Sequence, residues 1–130
     1  MSPSPRSVSL SIVPDPNASP TRHFAALAWY PGIRVLDLLV LADASLTDSF
    51  TFRAIYGSQY GVFIDQFDGI ADAPDRFWLL YIDGQLAERG VSESLIIRDG
   101  SHVEFRFEVP PKEHSQSTAK LALASMLSKA

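Results

Sequence analysis

The chain has 130 residues, of which 46% are hydrophobic and 11% aromatic; this suits one domain with a buried core and excludes a disordered protein. Its 11 basic and 15 acidic residues give a formal net charge of −4, which provides no attraction toward nucleic acid or an anionic membrane. The absence of cysteine excludes disulfide frameworks, thiolate metal sites and cysteine nucleophiles.

The N-terminal part predicts a short disordered terminus followed by a strand. Residues 1–6 show neither helical nor strand periodicity. Apolar residues then alternate with serines over residues 7–12, as in a half-buried strand. No signal segment is readable, and the most apolar stretch, residues 33–42, is too short to cross a bilayer and carries two charges. We therefore expect a soluble, cytoplasmic protein with no membrane contact.

The next elements are a loop, a strand and a helix. Three prolines interrupt residues 14–20, so this segment is a loop. Residues 23–30 read as a second strand, which the Pro31-Gly32 pair ends. Helical spacing of apolar residues predicts a helix over residues 34–44, although its start lacks a capping side chain.

The centre and end of the chain return to strand patterns. Asp-Gly pairs at 83–84 and 99–100 indicate hairpin turns. In the last strand, Val103, Phe105, Phe107 and Val109 are expected to face inward, with the charged residues between them facing outward. The predicted strands cover residues 50–56, 62–64, 76–82, 95–97 and 102–109.

The glycine-free tail predicts a separate C-terminal helix. Apolar residues recur at helical spacing between Ala119 and Ala130, behind candidate caps Ser115 and Ser117. The sequence thus divides into a disordered N-terminus (1–6), a domain (7–111) and an amphipathic helix (112–130). Many strands around one early helix indicate an α+β fold with a mixed, β-grasp-like sheet.

Catalytic and metal-binding patterns are scarce. The three histidines, His23, His102 and His114, have no paired metal-ligand spacing, and no serine lies in a Gly-x-Ser-x-Gly motif. Glu104 and Glu108 flank Arg106 on one strand face, which suits an exposed charged face better than acid–base catalysis. Four aspartates around Gly69 suit turn formation better than calcium binding: Asp65, Asp68, Asp72 and Asp75. We predict no catalytic residue and no metal ligand.

The aromatic residues beside the glycine turns are the candidate binding groups. Trp78 and Tyr81 are expected to point to opposite faces of one strand, so one of them lies outside or beneath the main core. A flat apolar ligand could use such a surface, whereas core packing is the plainer interpretation.

Three motifs in this order resemble a known family: YGSQYGVFI at residues 56–64, FWLLYIDG at 77–84 and RDGSHVEFRF at 98–107. Together they resemble the transcobalamin-like C-terminal domain, a β-grasp-type domain that ends cobalamin carriers. The resemblance covers roughly residues 8–109, and it departs from the family at Asp83, where Asn is usual, and at Ser101, where an acidic residue is common.

The resemblance implies a non-catalytic small-ligand-binding module, with a cobalamin-like corrin as one candidate ligand. The helical domain that completes the carrier site has no counterpart in this sequence. The implied ligand-binding residues lie in the 56–61 loop and the following long strand: Tyr56, Gly57, Gln59, Tyr60, Gly61, Trp78 and Tyr81.

A protein-interaction subunit is the alternative function. Sheet edges can add a partner strand, and the C-terminal helix could dock on the sheet or pair with a second copy to form a homo-oligomer.

Overall fold

The computed structural model describes residues 6–45, 50–58 and 61–111, together with His114, Gln116 and Lys120. In this part of the chain, two strands precede one helix and six strands follow it. The elements are β1 (Ser7–Val13), β2 (Arg22–Ala28), α1 (Val35–Ser45), β3 (Phe52–Ser58), β4 (Gly61–Phe67), β5 (Ile70–Ala71), β6 (Phe77–Ile82), β7 (Gln85–Leu86) and β8 (His102–Glu108).

The strands form two sheets where the sequence predicted one. A five-stranded sheet has the order β2-β1-β8-β6-β7, and β3-β4-β5 form a second sheet of three strands. β1 and β8 are parallel, whereas the other neighbours are antiparallel. The α+β class is therefore confirmed. The second sheet exists because β4 is paired on both sides by its own neighbours in sequence.

The core lies between the five-stranded sheet, α1 and the three-stranded sheet. Burial alternates over residues 7–10 of β1, as the pattern of apolar residues and serines predicted, whereas residues 11–13 are all buried. Phe67 of β4 packs against Trp78 and Phe105, with ring centroids 5.0 and 4.8 Å away. This aromatic contact joins the two sheets, and residues 77–80 of β6 are all buried, so this part of the strand is covered on both faces.

Contacts distant in sequence complete the start of α1. The backbone N–H groups of Val35 and Leu36 donate to the carbonyls of Ser94 and Val91, both at 3.0 Å. The Arg34 N–H donates to the Asp37 carboxylate. Two distant carbonyls and one local carboxylate thus satisfy the first N–H groups of the helix, which explains how it begins without a capping side chain at its first residue. Within the described residues, no helix is long and apolar enough to cross a membrane.

Two predictions about the C-terminal third are wrong. Residues 95–97 form no strand, because only Leu95 makes an isolated bridge, to Arg34. Val109 lies beyond the end of β8 and is exposed, because the strand pairing stops at Glu108. The predicted helix over residues 112–130 lies mostly outside the described residues.

Candidate functional site

The predicted ligand-binding loop lies at the turn between β3 and β4. Tyr56 and Gly57 belong to β3, and Gly61 opens β4 with a φ of +100°. An added Cβ at Gly61 would lie 2.8 Å from the Ser92 hydroxyl oxygen, so both conformation and close approach favour glycine there. Gln59 and Tyr60 lie outside the described residues.

Trp78, the second predicted element of that site, belongs to the core. Its side chain is 1% exposed, and its indole N–H donates to the Ile70 carbonyl at 2.7 Å. Its ring also packs on Phe107, with centroids 5.2 Å apart. In this position the indole has no accessible face for a ligand.

Tyr81 lies on the opposite face of the five-stranded sheet, half-buried and in contact with charged residues of β8. Its hydroxyl donates to the Glu108 carboxylate, and the Arg106 guanidinium lies over its ring, 4.1 Å from the centroid. Burial, followed by the Glu108 contact, raises the pKa of Tyr81 to about 12. Trp78 and Tyr81 therefore do not share a surface, as the alternation of a regular strand predicted.

The outward face of the five-stranded sheet carries a hydrogen-bonded polar row across β1, β2 and β8. Ser9 Oγ lies 2.6 Å from His102 Nδ1, and Ser11 Oγ lies 2.9 Å from His23 Nδ1. The two imidazole rings are 6.4 Å apart. His102 Nε2 is 3.6 Å from the carboxylate of Glu104. Serine, imidazole and carboxylate groups thus meet on one face.

Arg106 and Glu104 form the charged centre of this face. The Arg106 Nε–H donates to the Glu104 carboxylate, and that hydrogen bond raises the pKa of the Arg106 guanidinium. Both side chains are about two-thirds or more covered, so the pair is held more firmly than a surface ion pair. The result is a locally neutral pair that presents guanidinium donors and carboxylate acceptors side by side.

The proline-rich loop between β1 and β2 forms a wall beside this pair. A groove of about 350 Å³ lies between the loop and the sheet. We name it the proline groove; its lining residues are Val13, Pro16, Ala18, Pro20, Glu104 and Arg106. The side formed by the loop is therefore apolar, with φ fixed at its two lining prolines, and the side formed by the sheet carries the Arg106–Glu104 ion pair.

A second groove lies beside the β3–β4 turn. It has a volume of about 420 Å³, and it is lined by Arg34, Arg89, Ser92, Glu93 and Leu95. Ser92 links it to the predicted loop, since its hydroxyl accepts the Val62 N–H at 3.0 Å. This groove is more open than the proline groove and lies largely among exposed side chains.

Three of the four aspartates predicted to cluster around Gly69 have separate cationic partners. Asp65 pairs with Arg53 at 2.8 Å, Asp68 with Arg22 at 3.0 Å, and Asp72 with Lys120. Among the described residues, no group of three or more histidine and acidic side chains is arranged to hold a metal ion.

Sequence reasoning missed the partners of His102 and His23 on β1. Alternation predicts that the serines of β1 share one face, but it does not show that β8 lies beside β1. The parallel pairing that puts Ser9 opposite His102 joins residues 93 positions apart.

Comparison with protein-family models and with curated proteins finds no match for this chain.

Proposed function

We propose that the chain is a non-catalytic binding module for a small, flat ligand, and that the proline groove is the binding site. The main observation in its favour is that the apolar loop residues of this groove face the ion pair of Glu104 and Arg106. Ligand pockets combine apolar lining with a few well-placed polar groups, and their volumes are roughly 300–1,000 Å³. The groove, at about 350 Å³, suits a ligand of one or two rings.

The chemistry of the groove favours an uncharged ring with a donor group. Because Arg106 and Glu104 neutralise each other, neither a strong anion nor a strong cation gains net attraction there. A flat ring can pack on Pro16 and Pro20 while its N–H donates to the Glu104 carboxylate.

The corrin suggested by the resemblance does not fit the described residues well. An aromatic wall built from Trp78 and Tyr81 would be needed, but these side chains lie on opposite faces of one sheet. The two grooves described above, at about 420 and 350 Å³, have the volume of small-molecule pockets. The geometry therefore supports a ligand that is smaller than a corrin.

A binding role fits the polar row better than hydrolysis does. A serine nucleophile needs a base that a carboxylate orients through a hydrogen bond. Here Glu104 bonds to Arg106, and its distance of 3.6 Å to His102 Nε2 is too long for that orienting bond.

The β-grasp assignment is part of the same proposal. In the five-stranded sheet the first and last strands are parallel neighbours at the centre, and residues of α1 pack in the core with them. This arrangement supports a resemblance to the transcobalamin-like domain at the level of fold.

The test is an amide-resolved NMR titration of the ¹⁵N-labelled chain with indole, a flat, uncharged probe with one N–H donor. We expect saturable shifts at residues 13–20 and 104–106, and a several-fold weaker affinity in Glu104→Ala, which removes the acceptor of the ligand N–H. Glu93→Ala is the matched control, because this exposed glutamate pairs with Arg89 outside the groove. The absence of shifts in the groove, or shifts confined to residues 56–61, would refute the proposed location. Hydroxocobalamin in the same titration tests the corrin version.

The alternative, a protein-interaction subunit, is favoured by one observation. Ile97 is 82% exposed, and Leu95, two residues earlier, is also exposed. Large apolar side chains exposed together mark contact surfaces more often than scattered ones do. If this function is correct, wild-type chain should self-associate in light scattering at high concentration and Ile97→Glu should not. A monomeric mass for both proteins would count against self-association.

A further inference from the structure

The groove beside the β3–β4 turn contains an arginine whose charge is not paired. We name it the arginine groove; its lining residues are Arg34, Arg89, Ser92, Glu93 and Leu95. Arg34 immediately precedes α1, and its side chain is exposed. Within the described part of the chain, its backbone N–H donates to Asp37, but its guanidinium makes no ion pair. An unpaired guanidinium in a groove of about 420 Å³ is available to an anion from solution.

Backbone hydrogen bonds place Arg34 directly beside Leu95. The two residues form an isolated antiparallel bridge. The N–H of the residue after each partner donates to the carbonyl of the residue before the other, at 3.0 Å in both cases. Arg34 and Leu95 are therefore a non-hydrogen-bonded pair, the kind in which facing side chains lie closest together. Because Leu95 is 50% exposed, an accessible apolar surface adjoins the guanidinium.

A turn over residues 90–93 supplies a second donor, the Ser92 hydroxyl. The Glu93 N–H donates to the Gly90 carbonyl at 3.1 Å, which closes the turn. Ser92 Oγ accepts the Val62 N–H at 3.0 Å. This bond uses a lone pair of the oxygen, so the hydroxyl hydrogen is left to donate to another acceptor.

The charged residues of the arginine groove favour a monoanion. Arg34 and Arg89 contribute two positive charges and Glu93 contributes one negative charge, so the net charge of the lining is positive by one. Arg89 and Glu93 pair with each other at 3.4 Å, which leaves Arg34 as the net charge. The Asp37 carboxylate is bound to the Arg34 N–H and does not line the groove. A dianion would be repelled by Glu93 twice as strongly as a monoanion.

We propose that the arginine groove binds a small monocarboxylate with an apolar body, such as an aromatic acid. The Arg34 guanidinium offers parallel N–H donors that match the two oxygens of a carboxylate, and the Ser92 hydroxyl donates a further bond. The apolar part of the ligand packs on Leu95. The arginine groove and the proline groove share no lining residue, so the proposal is independent of the ligand in the proline groove.

The test is an amide-resolved NMR titration of the ¹⁵N-labelled chain with benzoate at neutral pH. Benzamide is the control ligand, because it has the same ring and nearly the same shape but no charge. We expect saturable shifts at residues 34 and 89–95, and an affinity for benzoate about tenfold above that for benzamide. Phenyl phosphate in the same titration tests the charge class of the ligand.

Two variants should change the affinity for benzoate in opposite directions. Arg34→Gln should weaken it about tenfold, because the guanidinium is lost while the flanking backbone bonds remain. Arg98→Gln is the matched control, since it removes the same charge from an exposed arginine that pairs with Asp83 outside the groove. Glu93→Gln should strengthen benzoate binding several-fold, because it removes the carboxylate that repels the ligand.

Equal affinities for benzoate and benzamide would overturn the proposal, as would equal losses in Arg34→Gln and Arg98→Gln. Tighter binding of phenyl phosphate than of benzoate would overturn the assignment to a monocarboxylate. Shifts by benzoate that are confined to residues 13–20 and 104–106 would overturn the location.

Discussion

Asp83 organises the turn between β6 and β7 through its carboxylate. It has a φ of +51°, and it accepts the His102 N–H at 2.9 Å and the Ser101 hydroxyl at 3.0 Å. The His102 bond is the largest cause that lowers its pKa, with smaller contributions from Ser101 and Arg98. The aspartate is therefore a structural group, which ties the turn to the start of β8.

Asp83→Asn should destabilise the fold by about 0.5–1 kcal/mol at neutral pH, since asparagine keeps the positive φ but loses the charge. Because the folded pKa lies below the ordinary 3.8, this stabilisation is present above pH 3.8 and is lost as the pH falls through the folded value. Urea unfolding across acidic pH measures the difference between wild type and variant. A difference that is constant with pH would contradict the role of the charge.

Tyr81→Phe removes the hydroxyl that donates to Glu108, and we expect a loss of about 1 kcal/mol at neutral pH. The raised pKa means that the contribution is complete below pH 10 and disappears as the pH rises through about 12. Ultraviolet titration of tyrosinate should show a component near pH 12 that is absent from the variant. If Tyr81 instead titrates with ordinary exposed tyrosines, the packing described for it is incorrect.

At the scale of elements, the segment after β7 is pressed against the start of β4. A Cβ added at Gly90 would lie 2.1 Å from the Val62 carbonyl oxygen. The same oxygen accepts the Val91 N–H at 2.7 Å, and the Val91 carbonyl in turn accepts a helix N–H from α1. One close backbone approach thus positions both β4 and the helix start.

Gly90→Ala should therefore destabilise the protein by about 3 kcal/mol or more, because backbone must move to make room. Gly100→Ala is the control: it meets no atom within 4 Å and its φ is +80°, so only the conformational cost of about 1–2 kcal/mol applies. Chemical denaturation of both variants gives the comparison. Similar losses for the two would show that the approach of Gly90 to Val62 is not tight in solution.

At the scale of the whole molecule, the buried pair of Lys120 and Asp72 connects the C-terminal segment to both sheets. Burial lowers the pKa of Lys120, and burial also raises the pKa of Asp72 against the opposing effect of Lys120. Desolvation thus outweighs the attraction within the pair. The Lys120–Asp72 pair therefore adds little net free energy of folding. Its main effect is to specify the position at which the C-terminal segment docks.

Lys120→Met should cost about 3–5 kcal/mol, because it leaves the Asp72 carboxylate buried without its partner. The double variant Asp72→Asn with Lys120→Met should recover part of this loss. Urea unfolding of the two single variants and the double variant forms the cycle. Additive losses would show that the two side chains do not interact in the folded protein.

The elements of the five-stranded sheet were largely predictable from local patterns. Period-two alternation located β1 and β8, and the Asp-Gly pair at 83–84 located the β6–β7 turn. The boundaries of α1 were predicted within one residue. By contrast, β5 has too few residues for a periodic signal, and the strand predicted over residues 95–97 is only an isolated bridge at Leu95.

The candidate site was less predictable than the elements. Strand alternation placed Arg106 on an outward face and Tyr81 on the face opposite Trp78, but it gave no information on the wall that the proline-rich loop forms beside Arg106. The importance of Lys120 was also hidden, since one lysine in a polar tail is usually solvated.

The sequence by itself determined which residues alternate, where glycine and proline turn the chain, and which chemistry the absence of cysteine excludes. These properties depend on neighbours within a few positions, so local physical chemistry decides them. Tertiary structure alone decided that β8 pairs with β1, that the strands divide between two sheets, and that Lys120 reaches Asp72 and Ile64. These contacts join residues 48 to 93 positions apart, where burial and backbone hydrogen bonding across the whole fold select the partners.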